Sequence, residues 1–343
     1  MVLEAGKGDE GGEVEPGTAE HEGRRQHDHD RHRVAGELVE QPAEARLHLV
    51  AGHVRRSSPP ADGTVRQKVR ASSSARYHTG LAFNAPFRLK LALLFIAAFL
   101  LVPLAIGVAT HESSRVPWHQ ASMASTALAP DPAKTPEAVV QVYAAKAFSW
   151  RGAFSVHTWI VVKSPGAAQF KRFDVVGWGG SRVVRENFAA ADALWFGGQP
   201  EILLDLRGEQ AEPLIRDIEA AVASYPFADT YQSWPGPNSN TFTAHIGRNV
   251  PGLRLDLPAN AIGKDYLPLS SPIARAPSGT GFQISLVGLL GAIVAVEEGI
   301  EINILGLSAG IDLLSPALRL PGLGRIGVRK AGGTNTHVER TNP

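Results

Sequence analysis

Residues 153–163 read AFSVHTWIVVK, a run rich in β-branched and aromatic side chains. This composition is typical of a β-strand. Because successive side chains of a strand point to opposite faces, the run predicts an apolar face and a second, mixed face that carries Ser155, His157 and Trp159. The first face consists of Phe154, Val156, Thr158, Ile160 and Val162.

Residues 234–248 read WPGPNSNTFTAHIGR and predict a rigid turn followed by a helix. Proline and glycine form the turn, and Asn238 is a favourable N-cap residue. Phe242 and Ile246 begin an apolar stripe at helical spacing. Ser239 therefore lies in the first turn of the predicted helix.

Further strands and helices around these two stretches predict an α+β domain. We expect strands at 170–178 and 201–206, a short helix at 136–147, and an amphipathic helix that ends at Tyr225-Pro226. The glycine-interrupted apolar run 284–296 is too short to cross a bilayer. It predicts half of a β-hairpin, 291–296 with 300–305, packed in a core; a re-entrant membrane contact is the alternative.

A twenty-residue run without charge, Leu91 to Thr110, spans about 30 Å as a helix, the thickness of the hydrocarbon layer. It predicts a transmembrane helix at 88–110 that contacts the lipid bilayer. A cleavable signal peptide is the rival interpretation. Arg88 and Lys90 flank its N-terminal end, so the positive-inside rule places the N-terminus in the cytoplasm. We expect a single-pass inner-membrane protein with an outward-facing, extracytoplasmic C-terminal domain.

The remaining boundaries follow from composition. Residues 1–85 are rich in charged residues, glycine and histidine, which predicts a disordered segment. An incorrectly assigned start of translation is the alternative. A tether rich in serine, alanine and proline follows at 111–148, then the folded domain at 149–328 and a flexible tail at 329–343.

Composition and absent motifs exclude several classes of function. The 343 residues contain no cysteine, which rules out disulfides, thiolate metal ligation and a thiol nucleophile. The net charge is +1, so nothing indicates a nucleic-acid partner. Phosphate-binding loops and metalloprotease motifs are missing. A histidine and aspartate cluster at 27–32 has the composition of a solvated charge run, and we expect neither a metal nor a cofactor.

One pair of residues suggests catalysis. Ser239 begins a predicted helix, where the helix dipole and free backbone N–H groups stabilise an oxyanion, and His157 lies on a strand as a general base. The structural alternative is a hydrogen-bonded histidine beside an ordinary capping serine. Asp205, at a strand end, is a weaker candidate to orient His157. Trp178 and Trp234 lie in turns rich in glycine or proline and either pack in the core or form the walls of a ligand groove.

The ordered motifs RGAFSVHTWIVVK, WFGGQP, WPGPNSNTF and EEGIEINILGL within residues 148–328 closely resemble the bacterial domain-of-unknown-function family 3750. This resemblance implies a membrane-associated bacterial protein. A histidine on an early strand followed by Asn-Ser-x-x-Phe is also similar to the permuted papain-like enzymes: NlpC-type peptidases, PPPDE peptidases and lecithin:retinol acyltransferases. That likeness implies His157 as base, Ser239 in the nucleophile position usually held by cysteine, and a permuted papain-like core.

Two functions therefore remain open from the sequence. The first is a non-catalytic papain-like binding or scaffold domain that holds an envelope ligand near Asn238, Asn240, Trp178 and Trp234. The second is a serine hydrolase or acyltransferase that acts on amides or esters of the cell envelope, with His157 and Ser239 as the catalytic pair and the amides near Asn240 as oxyanion donors.

Overall fold

The apolar run predicted to cross a membrane forms one helix, α1 (Ala85–Thr110), which includes a π-helical stretch at Ala97–Leu101. Its length and composition allow it to cross a membrane. The structure, a computed structural model, describes residues 85–113 and 116–328. The predicted disordered segment up to residue 84 and the predicted tail at 329–343 lie outside the described residues.

Five antiparallel strands form the first sheet, in the order β4-β3-β2-β1-β5. Two helices, α2 (Glu212–Ala223) and α3 (Ser239–Asn249), follow it in the chain. The predicted strands at 153–163, 170–178 and 201–206 are confirmed within a few residues. The amphipathic helix before Tyr225 and the helix that begins at Ser239 are confirmed too. The strands are β1 (Val139–Lys146), β2 (Val156–Lys163), β3 (Lys171–Val175), β4 (Val184–Glu186) and β5 (Pro200–Arg207).

Strand β1 corrects two predictions, the helix at 136–147 and the tether at 111–148. It lies between β2 and β5 and is almost entirely buried. A strand buried on both faces is apolar throughout, so its sequence lacks the alternation that identifies a strand. The folded domain thus begins about ten residues before the predicted boundary at 149.

The predicted alternation of AFSVHTWIVVK is confirmed, and each face of β2 packs in a different apolar cluster. Val156, Ile160 and Val162 pack with residues of α2 and α3 in the larger cluster. Trp159 packs in the smaller cluster with Tyr143 and other residues. His157 shares the face of Trp159, at the start of the strand.

Seven antiparallel strands form a second sheet, a meander in chain order. The predicted hairpin is confirmed as β8 and β9, but most of its large apolar residues do not pack in a core, and Ile293 is the exception. Val294 and Ile302 are exposed, whereas Glu301 and Asn303 are buried. The strands are β6 (Ile273–Arg275), β7 (Gly281–Leu286), β8 (Leu290–Ala295), β9 (Gly299–Ile304), β10 (Leu307–Asp312), β11 (Ala317–Leu320) and β12 (Gly324–Gly327).

Candidate functional site

A pocket of about 930 Å³ lies where the start of β2 meets the start of α3. Aromatic side chains supply much of its lining, among them Trp195 and Phe196. Six of the seven candidate residues from the sequence line this one pocket, and Asp205 does not. The six are His157, Trp178, Trp234, Asn238, Ser239 and Asn240.

A buried carboxylate, Asp174 on β3, holds the edge of the His157 ring. His157 Nε2 lies 2.8 Å from Asp174 Oδ1, and Arg172 Nε donates to Asp174 Oδ2 at 2.5 Å. All three side chains are almost completely buried. Asp205, the residue predicted to orient His157, instead accepts from Arg207 at 2.5 Å, because it lies on β5 and not on the strand next to β2.

Sequence reasoning missed Asp174, although a signal was present. In the stretch KRFDV at 171–175, Arg172 and Asp174 occupy alternate positions, with the apolar Phe173 between them. Arg172 pairs with Val161 across β2 and β3, and side chains of paired residues share a face. The two charged residues of β3 thus continue the face of β2 that carries His157.

The charges of this group determine which nitrogen of His157 is the base. Burial lowers the pKa of His157 below 6.5, although the hydrogen bond to Asp174 opposes the shift. Burial alone raises the pKa of Asp174, but the charge of Arg172 and the bond to His157 reverse the shift and lower it. At neutral pH the carboxylate is ionised and only accepts hydrogen bonds. The proton of the neutral imidazole therefore resides on Nε2, and Nδ1 is free to accept one.

A second contact fixes the plane of the imidazole. The ring of His157 stacks on Trp195 with 3.4 Å between centroids and 5° between planes. Trp195 is itself buried. The ring is thus held on its edge by Asp174 and on its face by Trp195, which leaves it little rotational freedom.

Ser239 is the first residue of α3, as predicted. Asn238 caps the helix, because its Oδ1 accepts from the backbone N–H groups of Asn240 at 2.9 Å and Thr241 at 3.1 Å. This cap corrects the prediction that amides near Asn240 would stabilise an oxyanion, since those donors are already used. Among the described residues the Ser239 N–H has no acceptor, so it is the backbone donor that remains at the helix start.

The side chain of Asn240 joins α3 to the strand that carries His157. Its Nδ2 donates to Val156 O at 2.9 Å and to Ile262 O at 2.8 Å. Its Oδ1 accepts from Thr158 Oγ1 at 3.0 Å. Val156 and Thr158 flank His157, so these bonds hold the start of α3 against the strand at that position.

Within the part of the chain that the structure describes, no hydrogen bond joins the imidazole of His157 to Ser239 Oγ. Such open geometry is common when no substrate is bound. Among residues 85–113 and 116–328 no group of three or more histidine, aspartate or glutamate side chains is arranged to hold a metal ion.

Exposed tryptophans surround the mouth of the pocket. Trp118, Trp150, Trp178 and Trp234 all line it and all are exposed. Trp234 Nε1 donates to Leu305 O at 3.0 Å, which ties one side of the mouth to the turn after β9. The pocket therefore opens next to the second sheet.

Comparison with known proteins gives one match. No curated protein and no solved structure matches the chain, and the papain-like resemblance stays a prediction. The matching family is described as "Protein of unknown function (DUF3750)", and its match covers residues 137–266. The match begins and ends earlier in the chain than residues 148–328, where the sequence motifs predicted the resemblance. The match contains the first sheet, α2, α3, His157 and Ser239, so this part of the chain is similar to that family.

Proposed function

We propose that the domain is an acyl-transfer enzyme, a hydrolase or acyltransferase of amides or esters. Ser239 acts as nucleophile, His157 as general base and Asp174 as the residue that positions His157. The observation that carries this proposal is the buried Asp174–His157 pair, which leaves Nδ1 unprotonated in the same pocket as a helix-terminal serine. A nucleophile, a base and a residue that orients the base constitute the general logic of a catalytic triad.

The proposed reaction has two steps, acylation of Ser239 and removal of the acyl group. Ser239 Oγ bonds to the carbonyl carbon while its proton passes to His157 Nδ1, and the Ser239 N–H stabilises the oxyanion. The imidazolium then protonates the leaving nitrogen or oxygen as that bond breaks, which leaves an acyl-serine. Water or a second acceptor then gives its proton to His157 Nδ1 as it attacks the acyl carbon. The bond from that carbon to Ser239 Oγ breaks, and the imidazolium returns the proton to Ser239 Oγ.

The surroundings of the pocket support an envelope substrate. Its walls are largely aromatic and its mouth lies near the C-terminal end of α1, where His111 Nε2 lies 2.9 Å from Ser149 O. Arg88 and Lys90 at the other end of α1 support a cytoplasmic N-terminus. We infer an inner-membrane anchor at 88–110, an extracytoplasmic domain with a permuted papain-like core, and a lipid or peptide substrate.

A non-catalytic binding or scaffold domain is the second candidate. It is favoured by the serine in place of a thiol and by the absence of a Ser239–His157 hydrogen bond among the described residues. In this case the aromatic walls near Trp178 and Trp234 bind an apolar ligand and release it without chemical change.

A fluorophosphonate probe separates the two candidates, because it reacts covalently with an activated serine and needs no knowledge of the substrate. We expect the full chain in detergent to be labelled and the Ser239→Ala variant to lose all labelling. Ser233→Ala is the matched control, since Ser233 lines the same pocket but lies outside the helix. Labelling that persists in Ser239→Ala, or no labelling of the wild-type chain, overturns the enzymatic proposal.

The pKa of His157 predicts how labelling depends on pH. The base works only when neutral, and burial lowers its pKa, so the neutral form persists to lower pH than for an ordinary histidine. We expect the labelling rate to decline as the pH falls, with the midpoint of the decline below 6.5, the ordinary pKa of histidine. Initial labelling rates above and below this pH provide the measurement; a decline centred above 6.5 contradicts the prediction.

A further inference from the structure

The second sheet has an exposed apolar face. Side chains that point outward from β7, β8 and β9 are large and hydrophobic, and Phe282 and Val294 are 71% and 60% exposed. We call this surface the outer face; it comprises Phe282, Ile284, Leu290, Val294, Ile300 and Ile302. Contiguous apolar surface of this kind marks an interaction site in a soluble or membrane-associated protein.

The opposite face of the same sheet is polar and buried. Glu301 Oε2 accepts from Lys264 Nζ at 2.6 Å, and its other oxygen forms an ion pair with Arg319. Asn303 donates to Asp265, and both are buried. The sheet is therefore inverted relative to one that faces water, where polar residues point outward and apolar residues inward.

An inverted sheet matches a lipid environment. Surfaces that contact acyl chains are apolar, while polar side chains face the protein interior. The inner strands satisfy their backbone groups by pairing with neighbours on both sides, which a lipid contact requires. Water on the outer face would instead leave six large apolar side chains solvated with no gain in stability.

Contact between α1 and the second sheet identifies what covers the outer face. A Cβ added to Gly107 would lie 2.9 Å from Gly322 Cα, so the helix packs directly on the loop between β11 and β12. Strand β10 contacts the π-helical stretch Ala97–Leu101. Leu93 and Leu94 on α1 are exposed, as is the outer face. A bilayer that surrounds α1 thus lies beside the second sheet.

We propose that the outer face rests on the acyl chains of the bilayer that holds α1, so that the domain is attached to the membrane by a helix and by one face of a sheet. This contact extends beyond the family match at 137–266 and does not depend on catalysis at Ser239.

Site-directed spin labelling tests this contact cleanly because the chain contains no cysteine. Ile302→Cys and Val294→Cys place a nitroxide on the outer face of the full chain in phosphatidylcholine and phosphatidylglycerol liposomes. Leu94→Cys on α1 is the lipid reference, and Arg216→Cys on α2, whose native side chain is 94% exposed, is the water reference. The measurement compares collisions with oxygen, which concentrates in lipid, and with a water-soluble nickel chelate.

We expect nitroxides at 294 and 302 to show the high oxygen and low nickel accessibility of the Leu94 reference. Accessibility equal to that of the Arg216 reference overturns the proposal, because the face would then be in water. Low accessibility to both reagents together with dipolar coupling between copies also overturns it, in favour of a second copy on this face. Two labelled positions keep the test valid if one variant fails to fold.

Discussion

Asp174→Asn is expected to slow fluorophosphonate labelling of Ser239 by at least about 10³-fold. An ionised carboxylate only accepts hydrogen bonds and therefore keeps the proton on Nε2 of His157. An asparagine amide can donate to Nε2 and drive the proton to Nδ1, where the base is needed. The expected loss arises from the wrong tautomer, with the shape of the site preserved.

Asp205→Asn is the matched control for this experiment. Asp205 also pairs with an arginine two residues away, at 2.5 Å, but on β5 and without a histidine. We expect this variant to retain the wild-type labelling rate. If Asp174 had only a structural role, the Asp174→Asn variant would yield less folded protein, but that folded protein would keep the wild-type pH profile of labelling. An unchanged pH profile in the folded variant therefore contradicts a positioning role.

Glu301→Ala is expected to lower the free energy of unfolding by about 3 kcal/mol, since it leaves two buried cations with a missing partner. Lys264 loses its carboxylate entirely, and Arg319 retains Asp256 at 2.7 Å. This retained pair places the expected cost at the low end of the range for broken buried ion pairs.

Ile302→Ala, one residue further along β9, is the matched control. In an ordinary core, truncation of isoleucine to alanine costs about 2–5 kcal/mol. Ile302 is half exposed, so we expect a loss below about 1 kcal/mol in detergent. Urea denaturation followed by tryptophan fluorescence measures both variants. A larger loss for Ile302→Ala than for Glu301→Ala contradicts the inverted sheet.

Local chemistry made part of this architecture predictable. Asn238 followed by Phe242 and Ile246 specifies a capped helix within a few residues, and the capping bonds form as expected. The alternation in AFSVHTWIVVK assigned His157 and Trp159 to one face of β2. This assignment was possible because the two-residue period of side chains in a strand is a property of the backbone.

Other features depended on partners distant in the chain. Strand β1 lacks alternation because both of its faces pack in apolar clusters, Val142 in the larger one and Tyr143 in the smaller one. Asp174 became a partner of His157 through the pairing of β2 with β3. The run 284–296 predicted a core hairpin because apolar residues are normally buried, whereas the interior of this sheet is filled by the charges of Lys264, Glu301 and Arg319.

The central claim is that Ser239 forms a covalent intermediate with the help of His157. Its most direct test is a crystal structure of the full chain after reaction with the fluorophosphonate probe, since it locates both the modified atom and the base. We predict a phosphonate on Ser239 Oγ, with His157 Nδ1 near hydrogen-bond distance of that oxygen. An unmodified Ser239 more than about 10 Å from His157 contradicts the claim, because a base must approach the proton that it removes.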